Sequence, residues 1–169
     1  MIRACRNSDV PAIDEIVNEA AEAYRGVIPA DCWHEPYMSR QHLMAEIANG
    51  VAFSGWDRGG RLLGVMGLQV VRDATLIRHA YVRRENQGEG IGSALLSALL
   101  KQIQGRLLVG TWADATWAIR FYERHGFQLV PPPDKDNLLH TYWTVSPRQR
   151  EVSVVLTYAP GHASSNSKS

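Results

Sequence analysis

The chain has 169 residues, 45% of them hydrophobic and 21% charged, and its 18 lysines and arginines against 17 aspartates and glutamates leave a formal charge of +1. That length suits one globular domain and the composition argues against disorder. The charge balance argues against a nucleic-acid partner, and two cysteines, Cys5 and Cys32, are too few for a disulfide framework or a metal cluster. No stretch approaches ~20 apolar residues and no basic flank precedes an apolar core, so neither a membrane span nor an export signal is expected, and a cytoplasmic protein is.

In chain order, residues 2–5 read as a short strand, and Asn7-Ser8-Asp9 before Pro11 signals a helix starting near Val10. Its stripe is Val10, Ile13, Ile16, Val17, Ala20 and Tyr24. Residues 25–38 break the pattern, after which Ser39 caps a shorter helix carrying Leu43, Met44 and Ile47 and stopped by Asn49-Gly50. Residues 51–56 and 61–71 read as strands joined by a hairpin at 57–60, and 75–82 as a third. A glycine-rich turn leads into a helix over 91–104, with Leu95, Leu96, Leu99, Leu100 and Ile103 inward, then a strand over 107–111. A helix over 116–125, a strand over 127–130, a Pro131-Pro132-Pro133 loop, an undecided stretch 138–145 and a closing strand 152–158 complete the domain, and the tail 159–169 reads as flexible. The order is β-α-α-β-β-β-α-β-α-β-β, a mixed α/β fold in which the strands on either side of the 91–104 helix form a parallel crossover.

The glycine turn carries the chemistry. Gly88, Gly90 and Gly92 let the backbone bend and present free N–H groups, and the helix start adds four more and a positive dipole end, a place suited to a pyrophosphate. Such turns also serve as plain punctuation. The dinucleotide fingerprint fails because its sixth place is Ser93 and no opening strand-helix-strand unit precedes it, and no Gly-Lys-Ser or Gly-Lys-Thr supplies a nucleoside-triphosphate loop. What remains is Gln87-x-x-Gly90-x-Gly92, followed downstream by Ala118-Ile-Arg-Phe-Tyr-Glu-Arg-His-Gly-Phe127. In these two signatures and their order the chain resembles the GNAT acyltransferases, over most of residues 1–158.

The resemblance implies a mostly antiparallel sheet with one splayed parallel strand pair, helices on both faces, and acetyl-CoA as cosubstrate with no metal. It implies that Gln87, Gly88, Glu89, Gly90, Ile91, Gly92 and Ser93 hold the diphosphate, that backbone groups of Tyr81 and Val82 pair with the pantetheine arm, and that Tyr122 gives a proton to the departing thiolate. The alternative for Tyr122 is core aromatic packing. Ala115 stands where many relatives have an asparagine touching pantetheine, with Thr111 or Thr116 as substitutes. Arg120 and Arg124 are candidates for the adenosine 3′-phosphate or are solvated surface. Relatives often form homodimers through C-terminal strands.

For the base, His79 titrates in a suitable range, but strand alternation puts Arg78, Ala80 and Val82 on one face and His79 with Tyr81 on the other unless a bulge intervenes. His34 and Glu35 stand in reserve. The acceptor wall is read in the 24–37 loop, where Tyr24, Trp33 and Tyr37 offer an apolar lining and Asp31 and Glu35 offer carboxylates for an ammonium, with Trp112, Trp117, Tyr142 and Trp143 opposite. The expected function is transfer of an acetyl group to a small or amino-acid-like primary amine by direct attack. Alternatives are a non-catalytic acyl-CoA-binding regulator of the same fold, a protein N-terminal or lysine acetyltransferase, or a transferase acting on charged tRNA, which the near-neutral charge disfavours.

Overall fold

The computed structural model describes residues 1–159, so the expected flexible tail lies outside the described residues apart from Ala159. The strands are β1 (Ile2–Ala4), β2 (Ala52–Arg58), β3 (Arg61–Val71), β4 (Ala74–Val82), β5 (Arg106–Trp112), β6 (Phe127–Leu129) and β7 (Ser153–Tyr158). They form one sheet in the order β1-β2-β3-β4-β5-β7-β6, antiparallel everywhere except between β4 and β5. The helices are α1 (Val10–Ala20), α2 (Arg40–Ala48), α3 (Ile91–Leu100), α4 (Thr116–Arg124), α5 (Pro132–Tyr142) and α6 (Pro147–Glu151). None of the described helices is long and apolar enough to cross a membrane.

Alternating side chains of the strands feed cores on both faces of the sheet. On one face Leu63, Met66, Ile77 and Val109 pack with Ile91, Leu95, Leu96 and Leu99 of α3 and with Tyr122 of α4. On the other, Phe53 and Val65 meet Ile13, Ile16 and Val17 of α1 and Leu43 of α2, while Leu76, Leu108 and Val155 meet Leu138, Leu139 and Tyr142 of α5.

The expected elements hold, with four differences. Residues 131–145 are not a loop and an undecided stretch: α5 opens on Pro132 and Pro133, which occupy first-turn positions where a missing N–H costs no hydrogen bond. The short α6 follows, its start fixed by Ser146, whose hydroxyl accepts the Gln149 N–H at 3.1 Å. Helix α3 ends at Leu100 rather than 104. Met44 does not face inward but is 56% exposed, because the inner side of α2 runs through Leu43, Glu46 and Ile47.

The parallel pair sets up the site. β4 and β5 are in register from Ala74 opposite Arg106 to Ile77 opposite Val109, and there the pairing stops although both strands continue. The cause lies two residues past the last pair. Against β3, the register passes from Gly67 opposite Arg78 to Val65 opposite Tyr81, so His79 and Ala80 together face Met66. This is a bulge, with His79 at φ +56°, and a bulge bends and twists its strand. The far half of β4 swings away from β5, and the backbone edge of residues 78–82 is left facing a gap.

Candidate active site

Into that gap opens a cavity of about 650 Å³. Its walls include Ala80 to Val82 of β4, Val109 to Trp112 of β5, Gln87, Gly88 and Gly92 of the turn, and Trp117, Ala118, Phe121 and Tyr122 of α4. Tyr24, Tyr37 and His79 close the remaining side.

At one end stands the start of α3. Gly90 is its N-cap at φ +81° and Gly88 precedes it at φ +87°, left-handed conformations that favour glycine. No side chain caps the helix, and its first backbone bond is from the Ala94 N–H to the Gly90 carbonyl at 3.0 Å, so the N–H groups of residues 90–93 have no partner within the helix. Gly92 is different. Its φ is ordinary, and a Cβ placed there would meet the Phe121 ring at 3.6 Å and Val82 at 3.7 Å, contacts any alanine tolerates. Neither backbone nor packing calls for glycine at this cavity-lining position, and the missing Cβ leaves room for a group approaching from the cavity. The turn therefore fits an anionic group bound through main-chain amides.

The side chains of the turn divide. Gln87 donates from its amide to the Val82 carbonyl at 3.3 Å, closing the turn onto the end of β4. Glu89 is drawn outward to Asn86 at 2.8 Å, and Ile91 is a core residue, 3% exposed. Glu89, Gly90, Ile91 and Ser93 do not line the cavity, so any part they take is through the backbone.

Tyr122 lines the cavity. Its ring packs edge-on against Phe121 and Phe127, with centroids 5.1 and 5.4 Å away, and burial holds its hydroxyl far above the usual phenol pKa, with Tyr24 adding to the effect. Among the described residues that hydroxyl has no hydrogen-bond partner.

His79 does face the cavity, by way of the bulge that alternation alone does not reveal. Its left-handed backbone costs on the order of 1–3 kcal/mol, strain of a kind that concentrates at functional positions. The ring lies roughly parallel to Phe53 and Tyr81, at 6.2 and 6.4 Å, and its Nε2 is hydrogen-bonded to Glu46 of α2. Glu46 escaped the sequence reading although it sits three residues after Leu43 and one before Ile47, on the inner side of its helix.

The acceptor candidates separate into two groups. Tyr24 and Tyr37 line the cavity: Tyr24 packs on Trp117 at 5.1 Å and on Tyr81 at 6.4 Å, and the Tyr81 and Tyr37 hydroxyls are 3.5 Å apart. Burial, then Tyr37, push the Tyr24 phenol up to about 12, and burial likewise raises the Tyr81 phenol well above its usual range. Trp33 and Glu35 do not line it. Glu35 accepts from the Trp33 indole at 2.7 Å and from Arg25 at 2.6 Å, and Arg25 lies 4.9 Å over the Trp33 ring, an exposed cluster that holds the Glu35 carboxyl below its usual range. Asp31 is likewise occupied by Arg148 at 3.0 Å, and His34 is exposed. Opposite, Trp112 and Trp117 line the cavity, whereas Tyr142 belongs to the core under α5, bonded to Asp73, and Trp143 packs against Gly110 from outside. Thr111 and Arg124 reach the cavity; Thr116 and Arg120 do not, and Ala115 is fully buried at the start of α4.

None of the described residues lining the cavity carries a carboxylate, and no group of three or more His, Cys, Asp or Glu among the described residues is placed to hold a metal. A splayed parallel pair, a bulged strand and an uncapped glycine turn meet on one cavity, an arrangement that fits an extended ligand with an anionic end. A family model described as an acetyltransferase (GNAT) domain matches residues 42–129, and the chain belongs to that family. The peptidyl-lysine N-acetyltransferase YiaC of Escherichia coli (strain K12) is 26% identical over 147 residues, 86% of this chain and 95% of YiaC. The PaiA N-acetyltransferase of Thermoplasma acidophilum, solved in complex with coenzyme A, has a TM-score of 0.68 at 18% identity over 94% of this chain and 98% of that one. The ribosomal-protein-S18-alanine N-acetyltransferase of Escherichia coli has a TM-score of 0.67 at 19% identity, over 94% and 92%. Family members use acetyl-CoA as the acetyl donor.

Proposed function

We propose that residues 1–158 form one transferase domain that moves an acetyl group from acetyl-CoA to the primary amine of a small acceptor with an apolar body, by direct attack in a ternary complex. The observation that carries this reading is the single cavity reaching from the unpartnered amides of α3 to an aromatic wall, with Tyr122 and His79 both on it. The amides of residues 88–93 hold the diphosphate, and the backbone edge of Tyr81 and Val82 receives the pantetheine arm. His79 accepts the proton lost by the attacking nitrogen, and as the carbon–sulfur bond breaks the Tyr122 hydroxyl gives its proton to the sulfur. Neither cysteine lines the cavity, and burial pushes the Cys5 thiol up to about 11, so no thiolate nucleophile is needed or offered.

The wall also explains how an amine becomes a nucleophile. Tyr24, Tyr37, Tyr81 and Trp117 surround the acceptor with rings and neutral hydroxyls and no carboxylate, surroundings that desolvate an ammonium and favour its neutral form. On this reading Asp31 and Glu35 do not hold the ammonium, since they pair with Arg148 and Arg25. A second reading, a peptide lysine as acceptor, is favoured by the similarity to YiaC, a peptidyl-lysine N-acetyltransferase. A thiol-release assay across aliphatic, aromatic and acidic amines and a lysine peptide separates the two. Aromatic and aliphatic amines are expected to be fastest; a lysine peptide faster than every small amine overturns the acceptor class, and coenzyme A binding with no turnover on any of them overturns catalysis.

A further inference from the structure

We propose that Glu46 is a positioning residue that fixes His79 in the tautomer able to act as base, so that the working unit is a Glu46–His79 pair contributed by α2 and the bulge of β4; this rests on the acetyl-transfer reading above. The pairing joins residues 33 positions apart and both side chains are largely buried, 14% and 13% exposed. One Glu46 oxygen takes the hydrogen bond from His79 Nε2. The other accepts from Arg78 at 2.9 Å and meets His42 Nε2 at 3.2 Å, and Arg78 is itself held by Gln69 at 2.9 Å. The carboxylate is therefore clamped at both oxygens and cannot rotate away from the ring.

The ionisation state of Glu46 agrees with this role. Burial pushes its carboxyl up, but the hydrogen bond from His79 and the neighbouring Arg78 guanidinium help to outweigh burial and leave it below the usual range, so it is an acceptor at neutral pH. An ionised carboxylate accepts only, so the ring nitrogen facing it must carry the proton. With Nε2 protonated, Nδ1 holds the one lone pair of the neutral imidazole and is the atom that takes the proton from the acceptor amine. The flanking rings of Phe53 and Tyr81 limit the tilt of the imidazole about this bond. A strained backbone at His79, a buried carboxylate behind it and a cavity in front are the parts of an oriented base, in which the carboxylate sets tautomer and direction without itself gaining the proton.

The test uses the full chain with Glu46→Gln, Glu46→Leu and His79→Gln. Imidazole nitrogen NMR of the neutral ring should show the Nε2–H tautomer at His79 in the wild type and a mixture in Glu46→Gln. With the fastest amine of the panel, kcat should fall about 100-fold or more in His79→Gln and about 10- to 100-fold in Glu46→Gln, with KM for acetyl-CoA unchanged. A wild-type Nδ1–H tautomer, or a folded Glu46→Gln or Glu46→Leu enzyme with wild-type kcat, overturns the role of Glu46. Turnover unchanged in His79→Gln removes the base as well. Absence of wild-type turnover on every amine instead fails the transferase reading, and the tautomer spectrum then tells whether Glu46 nevertheless orders the ring.

Discussion

Replacing Tyr122 with phenylalanine is expected to lower kcat by about 100-fold or more while leaving coenzyme A affinity and folding intact. The hydroxyl is a single atom at the cavity wall on a ring otherwise packed by Phe121 and Phe127, and phenylalanine keeps every ring contact. The hydroxyl has no hydrogen-bond partner among the described residues, so its removal breaks no bond within the protein, and the melting temperature should stay level. Burial raises the phenol well above its ordinary range, so Tyr122 keeps its proton through neutral and moderately alkaline pH and remains a donor there. The kcat profile should accordingly show no alkaline fall from Tyr122 below a phenol's usual pKa of about 10. Wild-type turnover in Tyr122→Phe across a pH series removes this residue from the mechanism.

Replacing Arg83 with methionine is expected to cost about 2–3 kcal/mol of stability. Arg83 directly follows the bulged half of β4 and is 4% exposed. Its Nε–H donates to the Leu62 carbonyl at 2.8 Å and its Nη1 to Glu15 at 2.5 Å and Glu19 at 3.4 Å, while its backbone N–H reaches the Leu63 carbonyl at 2.8 Å. Glu19 also accepts the Arg84 N–H at 3.1 Å, so α1 is tied to the chain just where it enters the glycine turn. Methionine fills much of the volume but leaves the carbonyl short of a donor. The cost stays below the ~3–5 kcal/mol of a fully buried pair because Glu15, 65% exposed, returns to water. Urea unfolding should show a lower midpoint with an unchanged slope, and coenzyme A affinity should weaken as the turn loosens. A midpoint equal to that of the wild type contradicts this account of Arg83.

Much of the architecture is legible in local sequence because local physics sets it. The glycine turn, the α1 stripe, the Ser39 cap and the hairpin strands each follow from the spacing of a few neighbours, and the two signatures around Gly90 and Tyr122 point to the family. The missed helix α5 carried its signal openly in Pro132 and Pro133, since proline belongs in a helix's first turn as readily as in a loop. Other features depend on partners distant in the chain. The direction of His79 is set by a left-handed residue within a strand, which periodicity cannot register, and Glu46 gains meaning only when α2 docks beside β4. Trp33 and Glu35 are equally plausible as pocket or surface by residue type, and only the position of Arg25, which contacts both, draws them together outside the cavity lining. The insertion of β7 between β5 and β6 likewise reflects long-range strand order that no local pattern carries.

The central claim is that main-chain amides at residues 88–93 grip a diphosphate and so aim a thioester at Tyr122. Titration calorimetry with acetyl-CoA, coenzyme A and pantetheine tests it most directly. One site per chain is expected for the first two, with pantetheine about 100-fold weaker, the loss of two or so charge-assisted hydrogen bonds. Equal affinity for pantetheine and coenzyme A, or no binding of any of the three, contradicts it.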